Sequence, residues 1–139
     1  MILYLDTSAL VKLVIVEDGS ELVAALWALR HRAVSSILSY PEGRAALAAA
    51  RRRSRLSANG HGRAREEFES LQSELSLVGI DAPLARRAGQ LAEEFALRGY
   101  DAVHLASALA VSGATTVISW DRDLRRAAAQ RGCAVAPAG

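Results

Sequence analysis

Short apolar runs separated by helical stretches constrain this chain most. Ile2–Leu5, Ala33–Ser36, Leu77–Ile80 and Thr115–Ser119 read as strands, the last being the most β-branched run, with Cys133–Val135 as a final short one. Between them lie apolar residues at helical spacing: Leu22, Leu26 and Leu29; Phe68, Leu71 and Leu75; Leu84, Ala88, Leu91 and Phe95. Strands separated by helices cannot be joined as hairpins. They predict an α/β fold with a central parallel sheet of four to five short strands, covered on both faces. The 139 residues suit a single domain across 1–139.

Within that frame the spacing predicts a helix over 7–14 capped by Thr7 or Ser8. It predicts a long helix over 37–57, a turn at Asn59–Gly62 followed by a helix over 63–75, a helix opened by Pro83 and broken at Gly99, and further helices over 101–112 and 121–130. One cysteine, Cys133, excludes an intrachain disulfide and reads as a small core residue; without a C-x-x-C pair there is no zinc ribbon. No apolar run is long enough for a membrane span, Lys12 interrupting the best candidate, and the MILYLD start lacks a basic n-region. The expectation is a soluble cytoplasmic protein with no membrane contact.

In open parallel sheets ligands sit beyond the carboxyl ends of the strands, where strand order reverses. Asp6 directly follows the first strand and Asp121 follows the fourth, while Asp101 and Glu42 stand near helix starts. Each has a structural reading: Asp101 and Asp121 as helix caps, Glu42 as a first-turn acid, Asp6 as a turn residue. If the four converge, physics narrows their use. Two carboxylates ~5 Å apart repel by about 3 kcal/mol at an effective dielectric of 20. Such a cluster must protonate in part or bind cations, and an all-oxygen set selects Mg²⁺ or Mn²⁺ over zinc. Water activated at such a site is suited to phosphodiester hydrolysis.

Four segments then carry a resemblance: LDTSALVKL at 5–13, SYPEGRAAL at 39–47, RGYDAVHLASAL at 98–109 and ISWDRDLRRAA at 118–128. In this order they resemble the PIN-domain family, and within it the VapC-type toxins of bacterial toxin–antitoxin pairs. The resemblance implies a PIN-like α/β/α sandwich and a Mg²⁺- or Mn²⁺-dependent endoribonuclease that hydrolyses RNA through metal-activated water. It implies a cognate antitoxin as inhibitor and a homodimer. The family's acidic quartet falls on Asp6, Glu42, Asp101 and Asp121, as catalytic residues and metal ligands. Thr7, Ser8 and Ser119 lie beside the acids as secondary site residues, with Asp123 as a fifth acid or an exposed helix-start residue. His104, three residues after Asp101, shares its helical face and reads as a packing or supporting residue.

Pro41 departs from the family pattern just before Glu42, so the helix either starts there or bends. Sixteen of the seventeen basic residues are arginines, beside an alanine excess that reflects composition. Among them Arg51, Arg52, Arg53, Arg55 and Arg122 are candidates for RNA contact, with Arg125 and Arg126 also beside Asp121. Leu10 and Leu13 are expected to anchor the antitoxin, while Trp27 and Trp120 pack. A receiver-type signalling domain needs an acidic pair upstream of Asp6 and a lysine after its last strand, and a haloacid-dehalogenase-type phosphatase needs Asp-x-Asp after its first; this chain has neither. The alternative is a catalytically silent PIN domain that binds protein or RNA.

Overall fold

The computed structural model describes residues 1–139. The elements run β1 (Ile2–Leu5), α1 (Thr7–Val11), α2 (Ser20–Leu29), β2 (Arg32–Ser36), α3 (Ser39–Arg52), α4 (Ala58–Ser73), β3 (Ser76–Val78), α5 (Ala82–Phe95), α6 (Gly99–Leu109), β4 (Thr115–Ile118), α7 (Arg122–Gln130) and β5 (Ala134–Ala136). The strands form one sheet in the order β3-β2-β1-β4-β5, every pair parallel.

Strand periodicity divides the core in two. Leu3 and Leu5 of β1 face one apolar cluster with Leu10, Val23, Leu47, Phe68 and Leu71 from the first four helices. Tyr4 faces the other way, into Leu91, Leu105, Leu124 and their neighbours on α5, α6 and α7. Both faces of the sheet are therefore buried, which is why β1 is continuously apolar. No helix is long and apolar enough to cross a membrane.

The chain starts at β1, builds outward through β2 to β3, then returns to the other side of β1 for β4. The strand order thus reverses between β1 and β4, whose register runs from Ile2 opposite Thr115 to Leu5 opposite Ile118. The Asp6 amide continues that ladder onto the Ile118 carbonyl at 3.2 Å.

Several boundaries differ from the sequence expectation for identifiable reasons. Asn59–Gly62 is helical, because Ser57 caps α4 through the Gly60 amide at 3.0 Å and the buried Ala64, Phe68 and Leu71 anchor the helix. Gly99 lies in the first turn of α6 rather than breaking a helix. The long helix stops at Arg52, followed by Ser54 in the left-handed region at φ 59°. The cap of α1 is Asp6, not Thr7 or Ser8. Cys133 lies one residue before β5 and is only partly buried.

Pro41 does not start α3. The helix begins at Ser39, so the missing Pro41 amide hydrogen is among the first-turn donors that have no intrahelical acceptor. Two residues later Gly43 is buried, and a methyl group built on it falls on the Phe68 ring. Phe68 has no exposed surface and no room to yield. Gly43→Ala is therefore expected to destabilise despite its better helix propensity, by about 1–2 kcal/mol net. Thermal melts check this: the midpoint should fall by roughly 3–8 °C.

Candidate active site

The polar ends of β1 and β4 converge on a cavity of about 340 Å³ lined by Asp6, Thr7, Ser8, Glu42, Arg98, Tyr100, Asp101, His104, Trp120 and Asp121. All four acids singled out by the sequence reach it. Asp6 and Asp121 arrive as helix N-caps: Asp6 accepts from the Ala9 amide at 3.0 Å and Asp121 from the Leu124 amide at 2.9 Å. Capping and presence in the site are thus not alternatives, since one carboxylate oxygen serves the helix and the other bonds elsewhere, Asp6 Oδ2 with Ser119 and Asp121 Oδ2 with Arg98. Asp101 is no cap; it sits in the first turn of α6, behind the cap residue Arg98.

Asp6 is 4% exposed and surrounded by donors. Ser8 donates to Oδ1 at 2.7 Å and Ser119 to Oδ2, while Ser119 Oγ in turn accepts from the Asp121 amide at 3.0 Å. Ser8 Oγ also accepts from the Trp120 amide at 3.1 Å, tying α1 to the loop after β4. Burial raises the Asp6 pKa; His104 and the hydrogen bonds oppose this without cancelling it. Burial and the neighbouring Asp121 charge raise that of Asp101 as well, with Arg98 opposing.

Glu42 behaves differently. Partial burial would raise its pKa, but hydrogen bonds from His104 and Thr7 outweigh that and hold it below the usual value. His104 Nε2 lies 2.8 Å from Oε1 and Thr7 Oγ1 donates to the same oxygen at 2.6 Å. On the far side of the ring, the Tyr4 hydroxyl is 2.8 Å from Nδ1. An ionised carboxylate only accepts, so Nε2 carries a proton and donates to Glu42; the Tyr4 hydroxyl, which burial keeps protonated, pairs with Nδ1. His104, 2% exposed, thus orients Glu42 from below.

Arg98 is the member of the site that sequence reasoning missed. Its Nε donates to Asp101 Oδ2 at 3.0 Å and a terminal nitrogen donates to Asp121 Oδ2 at 2.8 Å. One guanidinium thereby bridges two acids from different helices. Arg98 opens the RGYDAVHLASAL segment, three residues before Asp101, but in an arginine-rich chain that placement does not reveal a side chain shared by two acids.

Apart from Trp120, the other candidates lie outside the cavity. Asp123 is exposed and paired with Arg126 at 2.9 Å. Arg122, Arg125 and Arg126 line a separate cavity on α7, and buried Arg125 is spent on the Ser119 carbonyl at 2.8 Å. Arg53 and Arg55 line a cavity that shares Thr7 and Ser8 with the acidic one, whereas Arg51 and Arg52 do not. Trp120 packs under Lys12, whose Nζ lies 4.6 Å from the ring centroid, and Trp27 under Arg30 at 3.7 Å. Leu10 is fully buried and offers no anchoring surface. Leu13 does, in a groove with Val14, Trp27 and Leu71, rimmed by Glu66, Glu67 and Glu74.

The donor set is one of oxygens, without sulfur, and the only histidine has both nitrogens engaged. The guanidinium of Arg98 already holds a cation's place between Asp101 and Asp121. These residues fit a hard divalent cation, although no three acidic or histidine side chains are drawn around one point as a finished cage.

An acidic cavity at the switch point of a five-stranded parallel sheet places the chain among α/β proteins with carboxylates gathered at the strand ends. The comparisons narrow it. The PIN domain model matches residues 3–130, and the chain belongs to that family. Over 138 residues it is 47% identical to ribonuclease VapC45 of Mycobacterium tuberculosis, covering 99% of this chain and 96% of the relative. Among solved structures it resembles FitAcB from Neisseria gonorrhoeae, with a TM-score of 0.71 at 24% identity over 97% of this chain and 96% of that one. It also resembles a toxin–antitoxin complex from Klebsiella pneumoniae, with a TM-score of 0.61 at 21% identity over 86% and 88%.

The acids differ in what their loss should do to folding. Asp101 is a charge held against burial and Asp121, so Asp101→Asn should melt no lower than wild type in EDTA near neutral pH. Its folded pKa lies above its unfolded one, so ionisation costs stability above the folded value. The advantage of Asp101→Asn should vanish as the pH falls through that value toward the ordinary aspartate value of 3.8. Asp121→Ala instead loses a cap worth about 1 kcal/mol and should melt roughly 2–5 °C lower.

Proposed function

We propose that this chain is an endoribonuclease of the VapC toxin type, acting on RNA with a divalent cation, Mg²⁺ or Mn²⁺. The observation that carries the reading is the convergence of Asp6, Glu42, Asp101 and Asp121 on one cavity, in a chain 47% identical to a named ribonuclease. Asp6, Asp101 and Asp121 are the residues to hold the cation, with Glu42 alongside. When bound, it supplies Lewis-acid activation of water and charge neutralisation at the scissile phosphate.

The chain's own residues do the rest. The serines on Asp6 keep its carboxylate fixed without spending all its lone pairs. Tyr4 and His104 hold Glu42 ionised and oriented, ready to accept a proton or align a water. Beside the acids, Lys12, Arg53 and Arg55 line the adjoining cavity, where a polyanionic backbone is best received. That narrows the arginine run to two of its members, although Arg55 already pairs with Glu17 at 2.6 Å. The same reading includes a cognate antitoxin and self-association. For the antitoxin, the groove around Leu13 and Trp27 offers an apolar floor with a glutamate rim, which suits a basic amphipathic segment. For self-association, edge strand β3 and the turn after it expose Leu77 and Ile80.

Hydrolysis by water is expected on this reading, leaving a 3′-hydroxyl and a 5′-phosphate, because the cavity gathers carboxylates suited to a divalent cation while His104 is buried with both nitrogens engaged. Single-stranded RNA incubated with the protein and Mg²⁺ should give fragments that accept 5′-phosphate-dependent adapters without kinase treatment. EDTA should stop cleavage, and Asp101→Asn should slow it more than about 100-fold. Ends bearing 2′,3′-cyclic phosphate, or undiminished cleavage by Asp101→Asn, would refute the reading; binding without cleavage would favour the silent module.

A further inference from the structure

The contacts of Arg98 are unusual for a surface arginine. Its side chain is 63% exposed, yet it donates to two carboxylates that come from different helices. Those two acids lie close enough for the Asp121 charge to act on Asp101. A like-charged pair lining one cavity needs a counter-ion, and here the chain provides its own.

The attachment is loose by construction. The guanidinium end of both ion pairs is largely in water, which screens them, so the bridge has little to resist an ion that neutralises both acids. The residue is the N-cap of α6, with extended backbone at ψ 153° and no capping hydrogen bond from its side chain. Withdrawing the guanidinium therefore removes nothing from the helix. It has an alternative resting place, since it already lies 4.8 Å from the ring centroid of Tyr100, itself 43% exposed at the cavity mouth.

We propose that Arg98 is a displaceable internal counter-ion: its guanidinium bridges Asp101 and Asp121 when no divalent cation is bound, and cation binding expels it to the mouth beside Tyr100. This rests on the metal-site reading above. Loading and release are one exchange, so the apparent affinity for the cation is set partly by how well Arg98 holds its two acids. Expelled, the guanidinium stands at the cavity mouth with all its donors free, placed for a phosphate group.

The test separates the two-pronged bridge from mere positive charge. Mn²⁺ binding is measured by calorimetry on the full chain as wild type, Arg98→Gln and Arg98→Lys. Lysine keeps the charge but cannot span two carboxylates with a planar fork. Both variants should bind Mn²⁺ tighter than wild type, by roughly three- to tenfold. In parallel, the Arg98 Nε–H resonance of ¹⁵N-labelled wild type should be protected from exchange in EDTA and lose that protection on addition of Mg²⁺. Arg98→Lys binding like wild type while Arg98→Gln binds tighter would overturn the proposal in favour of simple charge. So would equal affinity in all three, or an Arg98 signal indifferent to Mg²⁺. If no variant binds Mn²⁺, the metal-site reading fails and the proposal with it; if all bind alike, only the proposal fails.

Discussion

The parallel pairing of β1 with β4 determines where everything polar in this molecule goes. Four residues of each strand run in register, and the Asp6 amide extends the ladder by one step. Because β2 and β3 lie on one side and β4 and β5 on the other, the chain leaves β1 and β4 in different directions. A crevice opens at their carboxyl ends. The loops leaving β1 and β4 put Asp6 and Asp121 there, and α3 and α6 bring in Glu42 and Asp101. A register slip in β1 would turn Leu3 and Leu5 to the wrong face and withdraw Asp6 with them.

Gathering like charges is costly, and the four acids are compensated by three devices. Asp6 and Asp121 each serve a helix N-terminus, where negative charge is favoured. Glu42 leans on His104, itself fixed by Tyr4 from the core. Asp101 has no backbone donor and depends on the most exposed partner, Arg98. The acid with the weakest compensation is therefore also the one whose charge a bound cation would most relieve. Gly43, next to Glu42, lets the Phe68 ring lie against α3.

Much of this was legible in the sequence because alternating strands and helices permit few topologies, and strand-end acids have few uses. Asp6, Glu42, Asp101 and Asp121 were singled out, and all four line the cavity. What stayed hidden depended on side chains meeting across the fold. Arg98 reads as one arginine among many until α6 and α7 bring Asp101 and Asp121 to either side of it. Leu10 and Leu13 look equivalent in the sequence, but only packing reveals that the first is core and the second lines a groove. Asn59–Gly62 reads as a turn because two glycines depress helix propensity, yet the Ser57 cap and the buried face of α4 prevail. Capping and site membership looked like rival readings of Asp121 because sequence alone does not show that a carboxylate has two oxygens facing different ways.

The central claim is that these carboxylates form one cation site at the switch point of the sheet. The most direct measurement is anomalous diffraction from crystals soaked in Mn²⁺. A peak coordinated by Asp6, Asp101 and Asp121, with the Arg98 guanidinium withdrawn, is the predicted result. Strong manganese peaks elsewhere on the surface, with the cavity empty and Arg98 still bridging Asp101 and Asp121, would contradict it.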